Sequence, residues 1–378
     1  MHADAGPVID AARQFAAHVI APQAEAWNAA GSLPRSVFAD AAAAGLTGLL
    51  VPPAQGGQGL GVAAYAEVLS VLAGACMAST FALVVHNNLA AMIARHGSAT
   101  QVARYLPGLL AGEAVGAFLL TEPGAGSDAQ AITTRAARDG DGWVLDGAKA
   151  WISNARHADV LAVFAQTRAG SGAAGIAAFL VPGDTPGLSR TAAYELLGGH
   201  ALGTGGIAFE RCRIGDDALI FAPGAGLKAA LAGIDVARIA VAAMCCGMLD
   251  RALTVALERT AGRAAFGAHV GDFQGVQWML ADCATDLAAA RALTAQAAAA
   301  AERGVSATLA AAHAKKFATR VAFARIAECM QLCGAHGLTR ELPLARHLEC
   351  AKLAQYLDGA TEIQNVVISR ALRTPARP

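Results

Sequence analysis

The chain has 378 residues, with 29 basic and 29 acidic side chains and a formal net charge of zero. Such a balance offers no cationic stripe for nucleic acid or an anionic membrane surface, and the length exceeds one simple core, so two or three packed units are expected. Eight cysteines occur without a CxxC pair, and no charged-then-apolar leader follows Met1. We therefore expect a reduced, cytoplasmic protein with no disulfides and no metal site, its cysteines acting as small core residues.

From Pro7 to Gly116 the pattern is helical, with turns at "GSLP" (31–34) and "VPPAQGGQG" (51–59). Mean hydropathy is +0.42. The segment from Val68 to Ile93 has no Asp, Glu, Lys or Arg and is long enough to span a bilayer. It nevertheless carries Ser70, Ser79, Thr80, His86, Asn87 and Asn88, and it lacks aromatic belts and a basic flank. Buried helices in a large oligomer are expected rather than a membrane span. Next come "GWVLDGAKAWISNA", "ADVLAVFAQT", "GIAAFLVPG" and "GGIAFERCRI", short β-type runs split by Gly, Pro and Asp. No proline lies between Pro223 and Pro343, a stretch dominated by good helix formers, with Leu249, Leu253, Ala256 and Leu257 at helical spacing. The fold class is therefore mainly α with a central β domain: helical over 1–116, β over 117–220, and a helical bundle over 221–378.

Two stretches could carry chemistry. In "FLLTEPGAGSD" (118–128) a strand enters a loop whose Pro123, Gly124 and Gly126 let bare backbone approach a ligand. Its amides could hold a phosphate or a polar ring edge. It is neither a GxGxxG helix start nor a Walker loop, so nicotinamide and ATP sites are unsupported. In "QYLDGATEIQ" (355–364), Asp358 reads either as a turn or helix cap, or as an acid placed to take a proton.

"LLTEPGAGSD", "AWISN", "RAAFG" (263–267), "DFQGVQ" (272–277), "QLCGAHG" (331–337) and "DGATEIQ" follow one another across nearly the whole chain. In order and spacing they resemble the acyl-CoA dehydrogenase flavoproteins. The resemblance implies FAD as cofactor, a β-barrel-like middle domain and a C-terminal four-helix bundle. It implies an acyl-CoA substrate, an electron-transfer flavoprotein as acceptor, and a homotetramer built as a dimer of dimers. Phe118, Leu120 and Thr121 would meet the isoalloxazine ring, and Gly126 and Ser127 the flavin and the acyl-CoA arm. Trp151 would cover the flavin, with Ser153 on its polar edge. Arg263, Phe266, Gln274, Gln331 and Gly334 would reach across a dimer interface to the partner's FAD. "IDVAR" (234–238) matches a CoA-contacting helix, which makes Asp235 and Arg238 candidates there. Read singly, Trp151 could simply pack on the sheet, and Arg263 and Gln331 could be solvated. Asp235 and Arg238 could form an ordinary helix ion pair. His86 in "VVHNNL" is either a satisfied core histidine or a pocket acid or base.

The family's reaction removes a proton from the carbon α to a thioester and passes a hydride from the β carbon to FAD. Most members supply the base as Glu in a "YEGT" stretch, matched here by Leu357, Asp358, Gly359 and Ala360. Others keep it on the CoA-contacting helix, where this chain has Ala237. The resemblance thus makes Asp358 the catalytic base, its backbone N–H polarising the thioester carbonyl and Gly359 beside it at the substrate. Asp358 is one methylene short of Glu, Ala360 replaces a flavin-contacting threonine, and Ala335 replaces a glycine at the adenine end. Together these point to a short, branched or cyclic acyl group. A nitroalkane-oxidase-like enzyme also fits Asp at this position, although Asn365 stands where that branch has arginine. A redox-silent acyl-CoA or acyl-carrier-binding member is the third reading. The acyl pocket is expected along Val68–Ile93, with Gly74, Ala75 and Ala78 leaving room.

Overall fold

The computed structural model describes residues 5–373. Its first domain is helical: α1 (Gly6–Phe15), a π turn (Ala16–Ile20), α2 (Ala21–Ala30), α3 (Ser36–Ala43), α4 (Val62–His96) and α5 (Ala99–Leu110). Helix α5 starts from a reciprocal cap in which Ser98 and Gln101 satisfy each other's backbone N–H groups.

Eight strands follow: β1 (Gly116–Leu119), β2 (Arg135–Asp139), β3 (Gly142–Ile152), β4 (Val160–Gln166), β5 (Ile176–Pro182), β6 (Leu188–Arg190), β7 (Gly205–Gly215) and β8 (Leu219–Phe221). They form one sheet in the order β6-β7-β3-β2-β4-β5-β8, with β1 parallel to β4. β4 and β5 are buried along almost their whole lengths, as their continuous apolar runs require.

The last domain comprises α6 (Gly226–Ala232), α7 (Ile234–Gly262), a small hairpin of β9 (Ala264–Ala265) and β10 (Ala268–His269), α8 (Gln274–Glu302), α9 (Thr308–Leu332), α10 (Leu344–Ala354) and α11 (Thr361–Arg373). Helices α7 to α10 pack as a bundle, with α11 laid on α9. Asp235 accepts from Thr308 at 2.6 Å at one end of α7, and Arg259 acts on Cys333 at the other, so α7 and α9 run side by side in the same direction.

One apolar core joins α1–α4 to α7–α10. Helix α4 crosses α7 where Gly247 has no side chain: a Cβ there would lie 1.9 Å from the Ser70 carbonyl oxygen. Helix α4 has the length and composition to cross a membrane, but most of its apolar window is buried inside the protein. All eight cysteines are free and buried. Leu257 departs from the expected apolar stripe. It is 47% exposed, because α7 is enclosed mainly in its first half and turns that position outward near its end.

Candidate active site

The loop after β1 is held from below by a buried ion pair. Glu122 meets Lys149 of β3 at 2.7 Å, with both side chains almost wholly enclosed. Glu122 also accepts from the N–H and hydroxyl of Thr133 and from the N–H of Thr134, and Lys149 donates to the Leu120 carbonyl at 3.0 Å. Burial alone would raise the Glu122 pKa, but Lys149 and these donors outweigh it and hold the group at about 2. Burial lowers Lys149 to about 8 against the pull of Glu122. Above this anchor Phe118, Leu120 and Thr121 are half-buried and Gly126 and Ser127 are exposed. A Cβ on Gly124 would meet nothing, and one on Gly126 only the Thr121 methyl at 4.0 Å, so the loop is open on that side.

The Ala150 N–H donates to Thr121 O at 3.0 Å, which brings the end of β3 beside this loop. Trp151 follows with φ 61, its indole 58% exposed and 4.8 Å from the Tyr194 ring. It therefore stands on the surface rather than packing under the sheet, with half-buried Ser153 next to it. Asn154, also at positive φ, fixes the turn by donating to Ala82 O in α4 and Gly116 O in β1, each at 3.0 Å. These residues form one floor built from β1, β3 and α4.

Asp358 lies in the left-handed region with φ 48, a conformation Asp tolerates better than most residues. Its Oδ2 is enclosed and, among the described residues, has no hydrogen-bond partner. It does not cap α11, because the first helical amides bond instead to the Ala360 carbonyl. This corrects the cap reading: a left-handed Asp358 followed by Gly359 at φ 93 turns the side chain away from the helix start. Lys315 of α9 donates to Gly359 O at 2.8 Å and Gln355 O at 3.4 Å, Gln364 donates to Gly359 O at 2.8 Å, and Arg238 Nε reaches Asp358 O at 3.4 Å. Burial raises the Asp358 pKa to about 6 against the pull of Lys315 and Arg238, and burial lowers Lys315 to about 8. Arg238 also pairs with Asp235 at 3.4 Å. Asp235, Arg238, Asp358 and Gly359 thus come together, with both charged α7 residues occupied inside the chain. Tyr65 at the start of α4 completes the cluster. It is buried, its hydroxyl has no partner among the described residues, and its pKa is raised by burial and by the charge of Asp358.

Arg263, Phe266, Gln274, Gln331 and Gly334 are all exposed at the opposite end of the bundle. Phe266 is 98% exposed at φ 51, and a Cβ on Gly334 would meet nothing. Arg238 lies near the start of α7 and Arg263 directly follows its end, about 37 Å along the axis given a rise of ~1.5 Å per residue. Within one chain this set is therefore remote from Asp358.

Sequence reasoning left Glu122, Lys149, Asn154, Lys315 and Tyr65 without roles. The first three lie inside the quoted stretches, and a charge flanked by alanines in a largely apolar strand was the available signal for Lys149. Lys315 sits in "AHAKKFA" and carries no local sign of its burial. His86 is a satisfied core residue: Nε2 meets Leu109 O at 3.0 Å, Nδ1 accepts from Gly116 N–H at 3.3 Å, and burial lowers its pKa to about 4.

Family models for the acyl-CoA dehydrogenase N-terminal, middle and C-terminal domains match residues 4–113, 117–212 and 224–373. The short-chain specific acyl-CoA dehydrogenase of Homo sapiens is 35% identical over 363 residues, covering 96% of this chain and 88% of that protein. The isobutyryl-CoA dehydrogenase of Dictyostelium discoideum is 34% identical, with 96% and 87% covered. Among solved structures, butyryl-CoA dehydrogenase from Megasphaera elsdenii superposes with a TM-score of 0.94 at 31% identity, covering 99% of each chain. A chain from a structure described as the electron transferring flavoprotein of Acidaminococcus fermentans gives 0.94 at 34% identity, covering 99% and 98%. A glutaryl-CoA dehydrogenase from Mycobacterium smegmatis in complex with FADH2 gives 0.93 at 28%, covering 100% and 96%. The chain belongs to the acyl-CoA dehydrogenase family.

Proposed function

We propose that this chain oxidises a short or branched acyl-CoA thioester at its α and β carbons, using FAD and Asp358 as base. The observation that carries the reading is the enclosed, unpartnered Asp358 Oδ2, whose pKa of about 6 suits a group that must accept a proton near neutrality.

The floor fits a flavin. An open glycine loop with free backbone, an exposed indole and the hydroxyls of Thr121 and Ser153 offer a stacking face and donors to a polar ring edge. FAD bound there supplies the acceptor for the electron pair that leaves with the β hydrogen. The chain's own residues do the rest. Glu122 and Lys149 fix the loop, Lys315 and Gln364 fix the Gly359 carbonyl, and Arg238 fixes that of Asp358. The Asp358 carboxylate takes the α proton, and its backbone N–H is assigned to the thioester oxygen, where it stabilises developing negative charge. Ser127 is assigned to the acyl-CoA arm.

The same reading gives Arg263, Phe266, Gln274, Gln331 and Gly334 to the FAD of a partner subunit in a dimer of dimers. Their exposure and their distance from Asp358 support this. An electron-transfer flavoprotein is the proposed acceptor and a reducing cytoplasm the proposed compartment, the latter supported by eight free thiols. The test is anaerobic titration of the purified yellow protein with butyryl-, isobutyryl- and hexanoyl-CoA. Bleaching by one of the two shorter thioesters is expected, and a flavin that stays oxidised with all three overturns the reading. Light scattering should give a tetramer, and Arg263→Ala should loosen FAD.

A further inference from the structure

Helix α4 is broken at Cys76, whose φ of −160 and ψ of 112 belong to a strand. A break inside a buried helix leaves carbonyls that the next turn no longer reaches. Three carbonyls at the break are met by side chains. The Gly74 carbonyl accepts from His347 Nε2 at 3.1 Å and the Ala75 carbonyl from Arg346 Nη2 at 3.2 Å. The Cys76 carbonyl accepts from Ser79 Oγ at 3.0 Å and Thr80 Oγ1 at 2.8 Å. His347 is buried, and burial together with Arg346 lowers its pKa to about 3, so the ring is neutral and Nε2 carries the proton that Gly74 receives. Arg346 also pairs with Glu25 of α2 at 3.2 Å. Both outside donors come from α10, the helix that delivers the chain to Asp358.

On either side of the break α4 touches a different half of the site. Before it lies Tyr65, buried and acted on by Asp358. After it lies Ala82, bonded by Asn154 behind Trp151 and Ser153. The two are about 25 Å of helix apart, and the direction of α4 between them sets the space separating the base from the floor. We propose that Arg346 and His347 are specificity-determining positioning residues, which hold the α4 break and so fix the width of the acyl pocket. The proposal rests on the functional reading above.

The test compares His347→Leu, His347→Gln and Thr80→Val on holoenzyme. His347→Leu should change the ratio of kcat/KM for hexanoyl-CoA over butyryl-CoA by ~10-fold or more, the scale on which a pocket reads added methylenes. Its FAD content should be unchanged. His347→Gln keeps a side-chain N–H donor and should restore the ratio. Thr80→Val, acting from the α4 side, should move it in the same direction as His347→Leu, which keeps the question decidable if His347→Leu fails to fold. Calorimetry with unreactive thioether analogues of the two thioesters should show the same ratio in binding. A common slowing of all thioesters at an unchanged ratio overturns the proposal. If no thioester bleaches the wild-type flavin, the functional reading has failed. Amide exchange then decides the clamp: faster exchange at 74–82 in His347→Leu supports it, and unchanged exchange overturns it.

Discussion

Two enclosed carboxylates in this protein each face a buried lysine, and they titrate in opposite directions. Glu122 touches Lys149, accepts three further hydrogen bonds and is held at about 2. Asp358 feels Lys315 and Arg238, but both cations are bonded to backbone carbonyls around it, its Oδ2 has no partner among the described residues, and its pKa rises to about 6. Asp358 lacks both the direct lysine contact and the donors that Glu122 has, so burial prevails at Asp358 and is outweighed at Glu122. Satisfied, the acid is a rivet; left short of donors, it is an acid that can take up a proton near neutrality. The fold holds the second acid in that condition by engaging Lys315 with main-chain carbonyls and Arg238 with Asp235 and the Asp358 carbonyl.

The largest effect that tests this contrast is on rate. Asp358→Asn should fold and bind FAD yet slow flavin reduction by about 1,000-fold or more, within the range for loss of a general base. Stopped-flow bleaching measures it, and a wild-type rate would move the base elsewhere. Glu122→Gln should instead act on stability, costing about 3–5 kcal/mol in denaturant unfolding because Lys149 loses its counter-charge. Flavin retention should fall with it as the loop above loosens.

The contrast also has a pH form. The depressed Glu122 contributes stability that is complete above its ordinary pKa of 4.5 and is lost as pH falls toward about 2. The raised Asp358 works the other way: its contribution is complete below 3.8 and is lost as pH rises through about 6. Going from pH 4 to pH 8, Asp358→Asn should therefore gain on the order of 2 kcal/mol relative to wild type. Equal pH dependence of the two proteins would refute the raised pKa. The smallest shift is kinetic. Flavin reduction should rise with pH through about 6 as Asp358 ionises, and Lys315→Met should move that midpoint upward by about one unit.

Much of this was legible in the chain. Apolar runs announced β4 and β5, a proline-free stretch announced α7 to α9, and the ordered motifs pointed to Trp151 and Asp358. Strand β2, "RAARD", was not legible, because its side chains are mostly exposed and it is held by pairing with β3 rather than by an apolar face. The break at Cys76 was equally hidden. Its neighbours are good helix residues, and the groups that hold it stand some 270 positions later on α10. Long-range satisfaction of backbone carbonyls leaves no local pattern, which also explains why Lys315 looked like an ordinary bundle lysine.

Where α4 crosses α7, the bare Cα of Gly247 lets the Ser70 carbonyl come closer than any side chain would permit. The three domains therefore cannot be traded as cassettes. Helix α4 belongs to the first by sequence, but its buried face is shaped to the seam on α7, more than 150 positions away. A chimera that brings in an α7 with even a methyl at that point would lever the two helices apart and swing Tyr65 away from Asp358. Shuffling this chain with its relatives should succeed only when both helices of the crossing are inherited together.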